Sequence, residues 1–244
     1  MTRFFVSPEE LAGDTIILTG ENAAHGRVLR LKSGDEVVVC NGQGDECHCT
    51  VQSAATDEIT LEVHTREAAG SEPGIHVAVY MAFPKADKLE HVIQKATELG
   101  ACEIVAFPSA RCVSRPDEKS LRKKLERWQK IAASAAEQSG RGCIPMVRVL
   151  SGYEAAVKEA AEADLPVLFY EKEDACTFSM AIEARKGFRT VSLMTGPEGG
   201  LEPPEVASAG ERGMQICTLG RRILRCETAP LCALSAVMFA AGEF

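Results

Sequence analysis

Thr195-Gly196-Pro197-Glu198-Gly199-Gly200-Leu201 decides how this chain is read. It follows the apolar run Thr190 to Met194 and precedes a helix-like run beginning at Pro203. A second stretch, Leu219-Gly220-Arg221-Arg222-Ile223-Leu224-Arg225-Cys226-Glu227-Thr228, is framed in the same way, by strand-like Gln215 to Thr218 and by an apolar helix-like run to Ala241. In an open parallel α/β sheet, ligands settle outside the carboxyl ends of strands, and glycines there let backbone groups approach a ligand closely. Two loops of this kind point to one pocket.

Outward from these loops, the pattern from Ile75 onward alternates strand and helix. His76 to Phe83 reads as a strand. Asp87 to Leu99 reads as a helix, with Leu89, Val92, Ala96 and Leu99 on one face and Gly100 as its stop. Further strands are expected at Glu103 to Phe107, Val147 to Leu150 and Pro166 to Tyr170, with helices at Asp117 to Gln138, Tyr153 to Ala163, Phe178 to Lys186 and Pro203 to Gly213. Such alternation implies an α/β fold, a parallel sheet covered by helices. Residues 1 to 70 differ. Short strand-length runs at Arg3 to Val6, Thr15 to Leu18, Glu36 to Cys40, Cys47 to Gln52 and Ile59 to Val63, with one short helix between Glu21 and Leu31, favour a small β-barrel. Small and turn-forming residues from Ala68 to Gly74 read as a linker, so the expected domains are 1–70 and 75–244.

Composition excludes several classes. With 45% hydrophobic and 25% charged residues, the 244-residue chain is neither disordered nor fibrous. Met1 to Glu9 lack the features of a secretory signal, and Ala229 to Ala241 is too short to span a bilayer, so a cytoplasmic protein without membrane association is expected. The ten cysteines are scattered and read as reduced thiols. Cys47-His48-Cys49 lacks a zinc-type Cys-x-x-Cys pair, and no metal is expected.

The net charge of −8 argues against a generally basic nucleic-acid binder. Residues 1–70 carry five Lys/Arg against twelve Asp/Glu, whereas the remainder is nearly balanced at 22 against 23, so RNA contact requires local patches. In the helix from Asp117, Leu121, Leu125, Trp128, Ala132 and Ala135 form an apolar seam. Lys119, Lys123, Arg127 and Lys130 line another face, which reads either as solvated surface or as a phosphate-binding stripe extended by Arg141.

The turn Phe83-Pro84-Lys85-Ala86-Asp87 lacks glycine, and no Gly-x-x-x-x-Gly-Lys-Ser/Thr occurs, which excludes a dinucleotide fold, a P-loop and an ordinary Rossmann methyltransferase. The two late glycine loops instead closely resemble the SPOUT superfamily, and within it the 16S ribosomal RNA uridine-N3 methyltransferases. The resemblance covers the whole chain. Arg3-Phe4-Phe5, His25 to Leu31 and Lys32-Ser33-Gly34-Asp35 resemble that family's PUA-like domain, and Lys95-Ala96-Thr97-Glu98-Leu99-Gly100 resembles its first catalytic-domain helix.

That resemblance implies a trefoil-knotted C-terminal sheet with helices on both faces, S-adenosyl-L-methionine as methyl donor, a homodimer, and 16S rRNA or the small ribosomal subunit as partner. Carried over by position, Leu193, Met194, Thr195, Gly196, Pro197, Glu198, Gly199 and Gly200, with Leu219, Gly220, Ile223, Leu224 and Arg225, are expected to hold the cofactor. Leu193, Ile223 and Leu224 are expected against adenine. Methylating uridine N3 develops charge on the pyrimidine, and Arg225 is the first choice to stabilise it; Glu198 or Glu227 is expected to accept the proton or orient Arg225. Glu227 and Thr228 have a competing structural reading at a helix start. His25, Arg27 and Arg30, with Lys123, Arg127 and Arg141, are the candidate RNA contacts. A SPOUT enzyme acting on another RNA and a non-catalytic ribosome-assembly factor are the alternatives; the N-terminal PUA-like domain favours an rRNA enzyme. Cys226 occupies a position regarded as variable in the family, and no histidine base adjoins the loops.

Overall fold

In the computed structural model, which describes all 244 residues, the chain separates into two units. Residues 1–72 with 136–144 form one, and residues 73–135 with 145–244 form the other.

The first unit is a half-barrel built from β1 (Thr2–Phe5), α1 (Pro8–Leu11), β2 (Thr15–Thr19), α2 (Gly20–Val28), β3 (Glu36–Cys40), β4 (Asp45–Ala54) and β5 (Glu58–Ala68). Its strand order is β1-β3-β4-β5-β2, with β1 parallel to β3 and the other pairs antiparallel. Alternation places Ile16 and Leu18 of β2, Val37 and Val39 of β3 and Cys47, Cys49 and Val51 of β4 in a single core with Phe4, Ile59 and Leu61. The short α1, unforeseen from sequence, is nucleated by a Ser7/Glu10 capping box and Pro8 in its first turn.

Residues 136–144 belong to this unit for an identifiable reason. Arg141 is 3% exposed, and its Nη2 donates to Glu72 Oε2 at 2.7 Å, while the amides of Gly142 and Cys143 donate to Glu72 Oε1. Burial pushes the Glu72 carboxyl up, but Arg141 and these amides outweigh it and hold the group below the usual carboxylate range. This corrects the expectation that Arg141 extends an RNA-facing stripe: its guanidinium is consumed inside the fold.

The second unit comprises β6 (His76–Ala82), α3 (Lys88–Glu98), β7 (Glu103–Phe107), α4 (Glu118–Ser139, its last turn in the first unit), β8 (Met146–Val149), α5 (Tyr153–Ala160), β9 (Leu165–Phe169), α6 (Phe178–Ala184), β10 (Thr190–Thr195), α7 (Pro203–Glu211), β11 (Gln215–Cys217) and α8 (Ala229–Ala241). The sheet runs β11-β9-β10-β6-β7-β8 and every pair is parallel. All of β9, and all but the first residue of β6 and β10, are buried, so helices cover both faces. Arg148 of β8 donates to Glu103 and Glu159, and the Tyr80 hydroxyl donates to Glu159 at 2.6 Å, which ties β6, β7 and β8 to α5.

The parallel order fixes the position of the site. Since β11, β9, β10 and β6 are consecutive neighbours, their four carboxyl ends emerge side by side. Pairing of Thr195 with Met81 sets the loop after β10 beside the turn after β6, although 113 residues separate Lys85 from Glu198 in the chain.

Candidate functional site

One cavity of about 530 Å³ opens at these four strand ends, and both glycine loops line it: residues 195–201 from β10 and residues 218–226 after β11. Phe169, Tyr170 and Glu171 from the end of β9 and Lys88 from α3 complete the wall. Its size is that of an ordinary small-molecule site.

The first loop is tightly built. Gly200 N–H donates to the Pro197 carbonyl at 2.9 Å, closing a turn in which Gly200 has φ +68°. A Cβ on Gly196 would stand 3.0 Å from the Gly200 carbonyl carbon and 3.1 Å from Leu201 Cγ, and one on Gly200 would stand 3.0 Å from a Glu171 carboxylate oxygen. The glycines are therefore needed for the loop to pack this closely on itself and on Glu171. Lys85 N–H donates to Glu198 Oε1 at 2.9 Å, and Arg111 Nη1 donates to the Gly199 carbonyl at 2.8 Å.

The second loop is more open. Gly220 has φ +106° with no atom near its absent Cβ, so glycine is required there by backbone conformation alone. Arg221, Arg222 and Arg225 are exposed, and Ile223 is 83% exposed. At the loop's end, Glu227 meets Lys88. The Lys88 ammonium lies 3.0 Å from Glu198 Oε1 and 3.3 Å from Glu227 Oε2. Burial raises the Glu198 carboxyl, but the Lys85 amide and Lys88 outweigh it and leave it lowered; Glu227 is lowered first by its own backbone amide. Both are ionised at neutral pH. Burial and the bond donated to Glu227 push the Cys226 thiol up to about 12, which removes a thiolate from the chemistry.

Of the cofactor residues expected from sequence, Thr195 to Gly200, Leu219, Gly220 and Ile223 to Arg225 all line the cavity. Leu193 and Met194 do not. Both are 0% exposed within β10, because a strand covered on two faces sends each alternate side chain into a core and leaves only its end to a ligand. Glu198 and Glu227 face Lys88, while the Arg225 guanidinium is exposed. Thr228 is the N-cap residue of α8 but makes no side-chain cap bond.

The RNA candidates are dispersed. Arg27 and Arg30 are exposed on and just after α2. His25 is half-buried, edge-on to Phe4, with Nδ1 3.3 Å from Glu137. Lys123 is exposed on α4, and Arg127 is paired with Glu90 at 2.6 Å.

Lys88, Glu171 and Arg111 were not anticipated. The turn before Lys88 is distinguished in the sequence only by lacking glycine, and its proximity to Glu198 follows from the adjacency of β6 and β10, which no periodicity reveals.

Residues 71–238 match the family model described as an RNA methyltransferase domain, and residues 18–63 match that of an RNA methyltransferase PUA domain. Over 230 residues the chain is 38% identical to ribosomal RNA small subunit methyltransferase E of Bacillus subtilis (strain 168), covering 92% of this chain and 90% of that protein. The chain belongs to the ribosomal RNA small subunit methyltransferase E family. The crystal structure of that enzyme from Neisseria gonorrhoeae, bound to S-adenosyl methionine, is similar with a TM-score of 0.86, 30% identity and coverage of 98% of this chain and 97% of that one. A putative methyltransferase of Legionella pneumophila in complex with the same cofactor also gives 0.86, at 28% identity and the same coverage.

Proposed function

We propose that this protein transfers a methyl group from S-adenosyl-L-methionine to N3 of a specific uridine in 16S rRNA, acting in the cytoplasm during small-subunit maturation. The observation that carries the reading is the convergence of both glycine loops on one cavity of about 530 Å³ in a member of this family. The lining fits the cofactor: the cavity is walled by both glycine loops, and ionised Glu198 and Glu227 suit a cationic ligand. When bound, the cofactor supplies an electrophilic methyl group.

The chain's contribution is orientation and electrostatics. Thr195 to Gly200 form the preorganised wall, and Leu219 to Arg225 the wall that comes to rest on the ligand. Arg225, an exposed cation lining the cavity, is proposed to stabilise charge on the pyrimidine as its proton leaves. Glu198 and Glu227 hold the local charge balance; proton acceptance by one of them is the second reading, which the pH dependence of their Gln variants tests. Arg27, Arg30 and Lys123 are exposed cations proposed to meet RNA, as are His25 and Arg127, and the few available charges favour recognition by shape.

A homodimer is part of the proposal. Cys232, Phe239 and Ala240 leave one apolar face of α8 exposed, with Phe239 at 74%, beside a groove of about 930 Å³ shared with α6. A trefoil-knotted path is supported by the strand order, in which β10 inserts between β9 and β6.

The direct test is incubation of labelled cofactor with small subunits from cells lacking the modification, followed by mass spectrometric mapping of the product. Label at N3 of one 16S uridine supports the reading. Label in tRNA, at another atom, or nowhere contradicts it.

A further inference from the structure

Lys88 opens α3, yet its side chain works at the far ends of two other segments. Its Nζ stands 3.0 Å from Glu198 of the first glycine loop, 3.3 Å from Glu227 at the close of the second, and 3.7 Å from Cys226 Sγ. The strands that launch those loops, β10 and β11, are not neighbours, because β9 lies between them. Two carboxylates facing a common point at neutral pH repel unless a cation stands there. A lysine suits the position: its compact ammonium carries three donors that can diverge toward separate partners.

The turn ahead of Lys88 is shaped to the same end. Ala86 has φ +55°, a left-handed conformation rare for a residue with a side chain, and the fold around it brings the Lys85 amide and the Lys88 ammonium to one oxygen of Glu198. A backbone donor and a side-chain donor on one acceptor fix that carboxylate in place.

We propose that Lys88 is a positioning residue of the methyl-transfer site: its ammonium pins the Glu198 loop to the Glu227 end of the second loop and sets the width of the cavity between them. This rests on the cofactor reading above. Without the charge, Glu198 and Glu227 repel, the loops part and the cavity loses its fit.

The test uses the full-length protein, with cofactor affinity measured by calorimetry and the thermal midpoint measured without cofactor. K88M keeps the apolar stem and removes the charge, and should weaken S-adenosyl-L-methionine about tenfold and lower the midpoint. K88R should stay within about threefold of wild type, since a guanidinium can still bridge two carboxylates. The discriminating variant is K88M/E198Q. Removing one of the repelling charges should raise the midpoint above that of K88M and leave the affinity no weaker than that of K88M, a rescue that a merely space-filling lysine would not show.

Wild-type affinity in K88M, or a double variant weaker than K88M, overturns the proposal. Should K88M not fold, K88M/E198Q, which lacks the repulsion, must recover a cooperative thermal transition; a double variant that also fails to fold overturns the proposal equally. A wild-type protein that fails to bind the cofactor overturns the functional reading instead, and the midpoint rescue by E198Q still decides whether Lys88 braces the loops.

Discussion

The two glycine loops share a cavity but are built differently. In the first, Pro197 is buried, a turn is closed from Gly200 to Pro197, and Lys85, Lys88 and Arg111 hold it from outside. In the second, Ile223 and three arginines are exposed, and the local support is a hydroxyl contact between Thr218 and Gly220 with amide bonds from Thr228 and Ala229 to the Arg225 carbonyl. One wall of the site is finished before a ligand arrives. The other carries exposed side chains and is held at its far end by the contact of Lys88 with Glu227. Pocket shape thus resides in the first loop, and the exposed cations of the second are the groups that the proposed function assigns to charge stabilisation.

Gly196→Val strikes the finished wall. Its branched side chain would collide with Gly200 and Leu201, so cofactor affinity should fall by about a hundredfold or more, measured by calorimetry, with the fold retained by circular dichroism. Arg225→Ala acts on the other wall and should split the readouts: cofactor affinity within a few-fold of wild type, and single-turnover methylation down by about a hundredfold. Unchanged methylation would remove Arg225 from the chemistry. Gly220→Ala meets no atom but must hold φ +106°, and the strain of about 1–2 kcal/mol should weaken binding about tenfold. Equal losses from Gly196→Ala and Gly220→Ala would break the distinction between a sterically filled loop and a conformationally constrained one.

The pH dependence sharpens the comparison further. Glu198 braces the first loop and titrates below the usual carboxylate range in the folded protein. Its contribution is therefore complete above that range and is lost only as pH falls through the lowered value. Cofactor affinity should be flat from about pH 8 to about 5 and decline below, whereas Glu198→Gln should be weaker by about threefold at neutral pH and flatter in acid. The smallest effect is expected at Ile223, whose exposed side chain contacts little before a ligand binds: Ile223→Ala should cost no more than about threefold in affinity.

Much of this comparison was legible in the sequence, and its limits have physical causes. The strand, glycine loop and helix alternation marks both loops because glycine and proline punctuate the chain locally. Strand order is not local. That β6 lies against β10 follows from contacts across more than a hundred residues, so no local pattern marks Lys88 although it sits one residue beyond the glycine-free turn. Motif resemblance runs continuously along the chain and so carries Leu193 and Met194 into the pocket, whereas burial switches within a residue at the strand end. Arg141 illustrates the reverse error: a cation just past a basic helix reads as surface, yet Glu72, 69 residues earlier, draws it inside. Helix α8 reads as apolar nearly all round, and Phe239 nevertheless stands 74% exposed, which periodicity cannot distinguish from a buried face.

Hydrogen exchange with and without S-adenosyl-L-methionine tests the convergence of the two loops most directly. Amides of residues 196–201 and 219–225 should gain protection together, the second segment by the larger factor because it starts less supported. Protection confined to one loop, or appearing away from both, would contradict a single cavity shared between them.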